Sequence, residues 1–187
     1  MKAQNKNCAL ILIDVQKGFL DFSYWGKINN HHIVKNIEVL LKLYRELQYP
    51  IIHIQHLSTE ETSPLRPGQE GSEFIESCAP RLGERIFQKS VNSAFIGTNL
   101  EAHLRTQNIE SVVLAGFTSD HCVSTTARMA SNLGFITSIV ADCTATFERR
   151  GLDSIFPAEL VHDVSLASLN NEFATVFRTI TLFRLGM

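Results

Sequence analysis

Apolar residues along this chain fall into two textures. Some runs are short and nearly uninterrupted: Ala9–Ile13, Ile51–Ile54, Val112–Gly116 and Phe135–Ala141. Runs of this kind suit strands buried on both faces of a sheet. Between them lie stretches whose apolar residues recur every three or four positions. Ile33, Ile37, Leu40, Leu41, Tyr44 and Leu47 share one face of a helix predicted over 30–48, which Tyr49-Pro50 ends. Val123, Thr126, Ala127 and Ala130 mark a second helix, closed by Gly134. Pro157 opens a third, over 157–169, with Leu160, Val161, Val164, Leu166 and Leu169. A shorter helix over 99–106 carries Thr98 as cap and Glu101 at the third position of a capping box.

The strands so predicted are 9–14, 51–56, 84–89, the run ending at Gly116, 135–142 and 173–177. Strands alternating with helices predict an α/β fold: a three-layer α/β/α sandwich around a six-stranded, mostly parallel sheet, Rossmann-like in outline. No repeat, low-complexity tract or linker divides the chain, so one domain over 1–187 is expected. Three irregular stretches remain. Residues 15–28 hold Phe19, Phe22, Tyr24 and Trp25, which either wall a pocket or pack under the loop. Residues 57–83, rich in Pro and Gly, read as a lid or an oligomer contact, and 143–156 read as a polar loop.

Composition narrows the function classes. With 187 residues, 44% hydrophobic and 19% charged, the chain can bury a sizeable core. The net charge is −2 and the only adjacent basic pair is Arg149-Arg150, which argues against nucleic acid as a partner. The apolar run near the N-terminus is short and interrupted by Asp14, so neither a signal peptide nor a membrane span is expected. Cysteines 8, 78, 122 and 143 are widely spaced with no CxxC, which fits a reducing cytoplasm better than a disulfide framework or a zinc knuckle.

The chemistry collects at strand ends. In an open parallel sheet, ligands bind beyond the carboxyl ends of the strands. Asp14 ends the first predicted strand, Lys89 the third, and Cys122 follows the fourth, where a helix begins. Asp14 at such a place is either a site carboxylate or a turn residue. Cys122 is either a buried structural thiol or a nucleophile whose thiolate is favoured by the helix start and by Lys89. Asp14 would take its proton, and amides of the 118–122 turn would stabilise an oxyanion. His121 adjoins Cys122 but does not face it on a helix. His53 and His56, three apart on a strand, point to opposite faces, so both cannot ligate one metal; His56 is the better placed to line a site.

Taken together, Ala9–Asp14 with Gln16 and Phe19, then Lys89, then Gly116-Phe117-Thr118-Ser119-Asp120-His121-Cys122-Val123 resemble the isochorismatase-like cysteine hydrolases. That superfamily also includes nicotinamidases and N-carbamoylsarcosine amidases. The likeness extends to Phe95 and Thr98, Thr126-Ala127, Gly134, Asp142 and the segment Val161-His162 to Glu172-Phe173-Ala174. The resemblance implies a catalytic triad of Asp14, Lys89 and Cys122. It also implies a non-proline cis peptide at Phe117–Thr118, and an oxyanion hole made by the backbone amides of Thr118 and Cys122. The activity it implies is hydrolysis of a C–N bond in a small amide, imide or ureido compound through a thioester. The alternatives are vinyl-ether hydrolysis, as in isochorismatase itself, and a non-catalytic or redox-sensing role. Phe19, Trp25, His56 and Phe117 are the candidates for lining the substrate pocket. Members of the superfamily often complete this pocket with a neighbouring subunit, which implies a homo-oligomer, dimer or tetramer. Nicotinamidases carry Asp-x-His after the second strand, with further metal-binding histidines. This chain has Ile54-Gln55-His56 there, so no catalytic metal or other cofactor is expected, and nicotinamide is disfavoured as substrate.

Overall fold

The computed structural model of the chain describes residues 7–184. Met1–Lys6, the start of the segment read as lacking a signal peptide, lie outside the described residues. The elements in order are β1 (Cys8–Ile13), α1 (Phe22–Trp25), α2 (Ile33–Glu46), β2 (Ile51–His56), β3 (Arg85–Lys89), α3 (Leu100–Thr106), β4 (Ser111–Phe117), α4 (Cys122–Asn132), β5 (Ile136–Ala145), β6 (Arg149–Arg150), β7 (Ile155–Phe156), α5 (Ala158–Leu169), β8 (Thr175–Phe177) and α6 (Thr179–Arg184). One sheet has six strands in the order β3-β2-β1-β4-β5-β8, and every pairing in it is parallel. The chain works outward from β1 in one direction, then returns to add β4 on the other side. The order therefore reverses between β1 and β4, and a crevice opens beyond their carboxyl ends.

Period-two alternation explains how one apolar run serves two cores. Leu10 and Leu12 of β1 face α2, with Val113, Ala115 and Phe117 of β4 beside them. Ala9, Ile11 and Ile13 face the opposite layer, where Leu100 and Leu104 of α3, Val123 and Ala127 of α4, and Leu166 of α5 pack. The six residues from Ala9 to Asp14 are at most 1% exposed, which is why polar alternation is missing from this strand.

Gly116 is needed at the centre. It sits at φ 120° opposite Ile13, and a Cβ there would run into the Ile13 backbone. Gly116→Ala is expected to leave no cooperative thermal transition where the wild type gives one, because neither strand can yield without losing the β1–β4 register.

The structure departs from the sequence reading at several places. β5 runs on to Ala145 instead of stopping at Asp142, because a register shift between Leu114 and Gly116 lets the strand continue. Asp142 is therefore inside the strand, and its Oδ1 accepts from the amide and hydroxyl of Thr179. The expected polar loop over 143–156 holds the buried Cys143, Ala145 and Phe147 and a small β6–β7 hairpin. The N-cap of α3 is Asn99, and Glu101 pairs with Arg105. Thr98 still caps in part, accepting from the Leu100 amide at 3.3 Å. Helix α6 carried no signal that the pattern analysis used.

A partly buried ion network secures the outer edge of the sheet, where β2 meets β3. Arg45 of α2 binds Glu84 through Nε (2.7 Å) and Nη2 (2.9 Å), and His53 of β2 meets the same carboxylate at 2.8 Å. Burial works against the charge on Glu84, but Arg45, the Arg81 amide and His53 together hold its carboxyl down at about 2. The stability it contributes is thus present above the ordinary carboxylate range and lost as pH falls towards 2. Glu84→Gln is expected to lower the urea midpoint at pH 7 by an amount worth about 1.5–3 kcal/mol. The gap between variant and wild type should narrow as the same measurement moves from pH 5 to pH 2.5.

Candidate active site

Asp14 leaves β1 with φ 55°, a left-handed conformation that Asp tolerates better than most residues. This bend ends the strand at the crevice. Lys89 is the last residue of β3, in register with His56 at the end of β2, so both side chains leave the sheet on the same side. Cys122 is the first residue of α4, reached from β4 through the 118–121 turn. All three residues implied by the resemblance, with His56, therefore converge at one edge of the sheet.

Their contacts centre on the Lys89 ammonium. Its Nζ lies 2.7 Å from Asp14 Oδ2, 3.0 Å from His56 Nδ1 and 3.3 Å from Cys122 Sγ. The side chains of Lys89 and Asp14 are both 0% exposed. Asn92, three residues beyond Lys89, places its Oδ1 3.8 Å from the thiol. Asp14 Oδ1 is buried with no partner among the described residues.

Cys122 is only 7% exposed. Burial pushes its pKa well up, the Asp14 carboxylate adds to that, and Lys89 pulls in the opposite direction without prevailing. Burial thus outweighs the help that the helix start and Lys89 were expected to give the thiolate. The shift favours the protonated thiol, with the Asp14 carboxylate close enough to take its proton.

The 118–122 turn is pinned on both sides. Phe117–Thr118 is a cis peptide, as the resemblance implied. The Ser119 amide donates to the Ala145 carbonyl (2.9 Å), and its hydroxyl meets His162 Nδ1 of α5 at 3.0 Å. Asp120 accepts from Arg149 (2.7 and 3.2 Å) and Thr146 (2.5 Å). The Thr118 carbonyl takes the amides of His121 and Val123. Among the described residues, the amides of Thr118 and Cys122 donate to no other protein group. His121 Nε2 lies 3.4 Å from Asp120 Oδ2.

The pocket-lining candidates divide. Phe19 stacks on Phe117 (centroids 4.9 Å apart, 4° between planes) and on Trp25 (4.9 Å, 24°). Phe19 is 3% and Phe117 0% exposed, and both belong to the core cluster on the α2 side of the sheet. Trp25 is half-buried, with its Nε1 donating to the Gly18 carbonyl at 2.8 Å. The aromatic loop does wall a recess of about 670 Å³, but through Phe22, with Lys27, Ile28, His31 and Glu148. His56 does reach the site. Gln16 secures its backbone, accepting from the His56 amide (2.8 Å) and donating to its carbonyl (2.9 Å) and to that of Ser72 (2.8 Å). With the Lys17 and Ile75 amides bonded to Glu73 and Val15, this ties the middle of the 57–83 segment to the stretch that follows β1.

Asp14, His56 and Cys122 hold potential ligand atoms within 4.8 Å of one another, a spacing that suits a metal ion. The Lys89 ammonium lies within 3.3 Å of all three. A cation added there would meet an existing one, so the residues present do not fit a metal.

Sequence reasoning missed Asn92, the Ser119–His162 contact and the Asp120–Arg149–Thr146 cluster. Asn92 had one available signal, its place in the turn directly after Lys89. The others join residues far apart in sequence and left no local trace.

A parallel α/β sandwich with a buried carboxylate, ammonium and thiol at its switch point defines a class of hydrolase scaffold, and comparison with known proteins names it. The Isochorismatase domain family matches residues 8–181, and the chain belongs to the isochorismatase family, whose members are hydrolases. The isochorismatase family protein YrdC of Bacillus subtilis (strain 168) is 46% identical over 172 residues, covering 91% of each chain. An isochorismatase-family crystal structure from Chromobacterium violaceum superposes with a TM-score of 0.91 at 37% identity, covering 98% of this chain and 95% of that one. Maleamate amidohydrolase of Pseudomonas putida is 39% identical over 70 residues, 37% of this chain and 33% of its own length.

Proposed function

We propose that the chain is a cysteine amidohydrolase that cleaves the C–N bond of a small amide, imide or ureido substrate through a thioester. The observation that carries this reading is the Lys89 ammonium, placed between Asp14 and Cys122 at 2.7 and 3.3 Å. The amidohydrolase named among the relatives supports the same class of bond.

The chemistry follows from the contacts. Cys122 Sγ attacks the carbonyl carbon while its proton passes to Asp14, so the thiolate forms only as the S–C bond does. Lys89 compensates the charge on sulfur as the proton leaves. The carbonyl oxygen gains negative charge and is received by the open amides of Thr118 and Cys122. The C–N bond then breaks, Asp14 returns the proton to the departing nitrogen, and ammonia or an amine leaves. Water next gives a proton to Asp14 and adds its oxygen to the thioester carbon. The acid departs, and the proton returns to sulfur.

Vinyl-ether hydrolysis would need the acid and not the thiol. The two readings separate in a screen of small amides and ureides with intact-protein mass spectrometry. An acyl adduct on Cys122 during turnover is the expected result. Turnover with no adduct, retained in Cys122→Ala, would reject the thioester.

A further inference from the structure

A lysine ammonium has three N–H groups and no acceptor. At Lys89 the three have three partners: Asp14 Oδ2, His56 Nδ1 and Cys122 Sγ. Two of these belong to the mechanism above, and the third is not used in it. A ring nitrogen 3.0 Å from an ammonium can only accept, so His56 Nδ1 carries a lone pair and the ring proton sits on Nε2. The ring is held for this contact twice over. Its residue is paired in register with Lys89 across β2 and β3, and Gln16 fixes its peptide on both sides.

We propose that His56 is a positioning residue, whose unprotonated Nδ1 takes the third N–H of Lys89 and so fixes the ammonium between Asp14 and Cys122. The inference rests on the role given to Lys89 above. Without this acceptor the ammonium is free to rotate, and its N–H towards sulfur is no longer fixed. Protonation of Nδ1 would set one N–H against another, and either the ring or the lysine would have to move.

The surroundings keep the ring neutral. The charged and titratable groups facing it are Lys89 from β3, Asp14 from the turn after β1 and Cys122 from α4. Burial lowers the pKa of His56, Lys89 lowers it further, and Asp14 opposes them. The acid form therefore appears only below the ordinary histidine range. As pH falls through that region the Lys89 contact is lost, and activity falls with it.

The first test reads the ring without any substrate. Ring ¹⁵N shifts of His56 in the wild-type protein should show the neutral Nε2–H tautomer at pH 7. An Nδ1–H tautomer or a cationic ring at that pH would overturn the proposal. Because this measurement needs no turnover, it stands apart from failure of the amidohydrolase reading. The second test is kinetic. His56→Leu removes the acceptor and should lower kcat on the order of 100-fold with little change in KM, the effect of a misplaced catalytic group. His56→Asn offers an oxygen near the Nδ1 position that does not titrate. It should recover at least about ten-fold over His56→Leu and move the acid limb of the kcat profile to lower pH. Full activity in His56→Leu, or an unchanged acid limb in His56→Asn, would refute the role.

Discussion

Cys122→Ala is expected to lower amide hydrolysis by at least about 10⁴-fold, the order seen when a covalent nucleophile is removed from an otherwise intact site. Nothing left in the crevice can replace it. Among the described residues, Lys89 and Asn92 place polar groups against the sulfur, and neither an ammonium nor an amide is a nucleophile. The fold should survive, because the thiol makes only long contacts and the Asp14–Lys89 pair remains bonded at 2.7 Å. Thermal melting within about 1 kcal/mol of wild type is the matching expectation. The state of the sulfur gives an independent check. With burial and Asp14 holding the thiol protonated, iodoacetamide should alkylate Cys122 slowly at pH 7 and faster as pH rises. Fast alkylation at neutral pH would mean a resting thiolate, favoured as the sequence suggested by the helix start and Lys89.

That expectation shows where sequence reasoning stops. Residues 9–13 and 112–116 announced buried strands because both faces of the sheet are covered, which forces an unbroken apolar run. The rule that ligands lie beyond the strand ends already brings Asp14, Lys89 and Cys122 together from the sequence. What the rule does not carry is depth. A helix N-terminus stabilises a thiolate on a solvated surface, but at 7% exposure desolvation outweighs it. Phe19 and Phe117 were candidates for lining the pocket, and in the structure their rings stack on each other in the core on the α2 side of the sheet. His56 was legible as a candidate from its position at a strand end, but its partner was not, because pairing with Lys89 depends on the β2–β3 register.

Lys89→Met should give the largest loss of stability among single substitutions at the site, about 3–5 kcal/mol, read as a fall in the denaturation midpoint. The loss does not measure how strongly the ion pair attracts. Both side chains are 0% exposed, so folding has already removed water from two charges, and their mutual contact is what offsets that cost. Removing the lysine leaves Asp14 desolvated, with one carboxylate oxygen already lacking a partner and the other now joining it. The double variant Asp14→Asn/Lys89→Met should recover part of the loss, since it removes the second buried charge as well. A double-mutant cycle of these variants isolates the coupling. If Lys89→Met alone is as stable as wild type, the pair is not desolvated as described. If the double variant is as unstable as the single one, the cost lies in packing around the lysine and not in an unpaired carboxylate. Recovery of stability with no recovery of activity is the expected combination, because the charge that makes Lys89 costly to bury is the charge that receives the developing thiolate of Cys122.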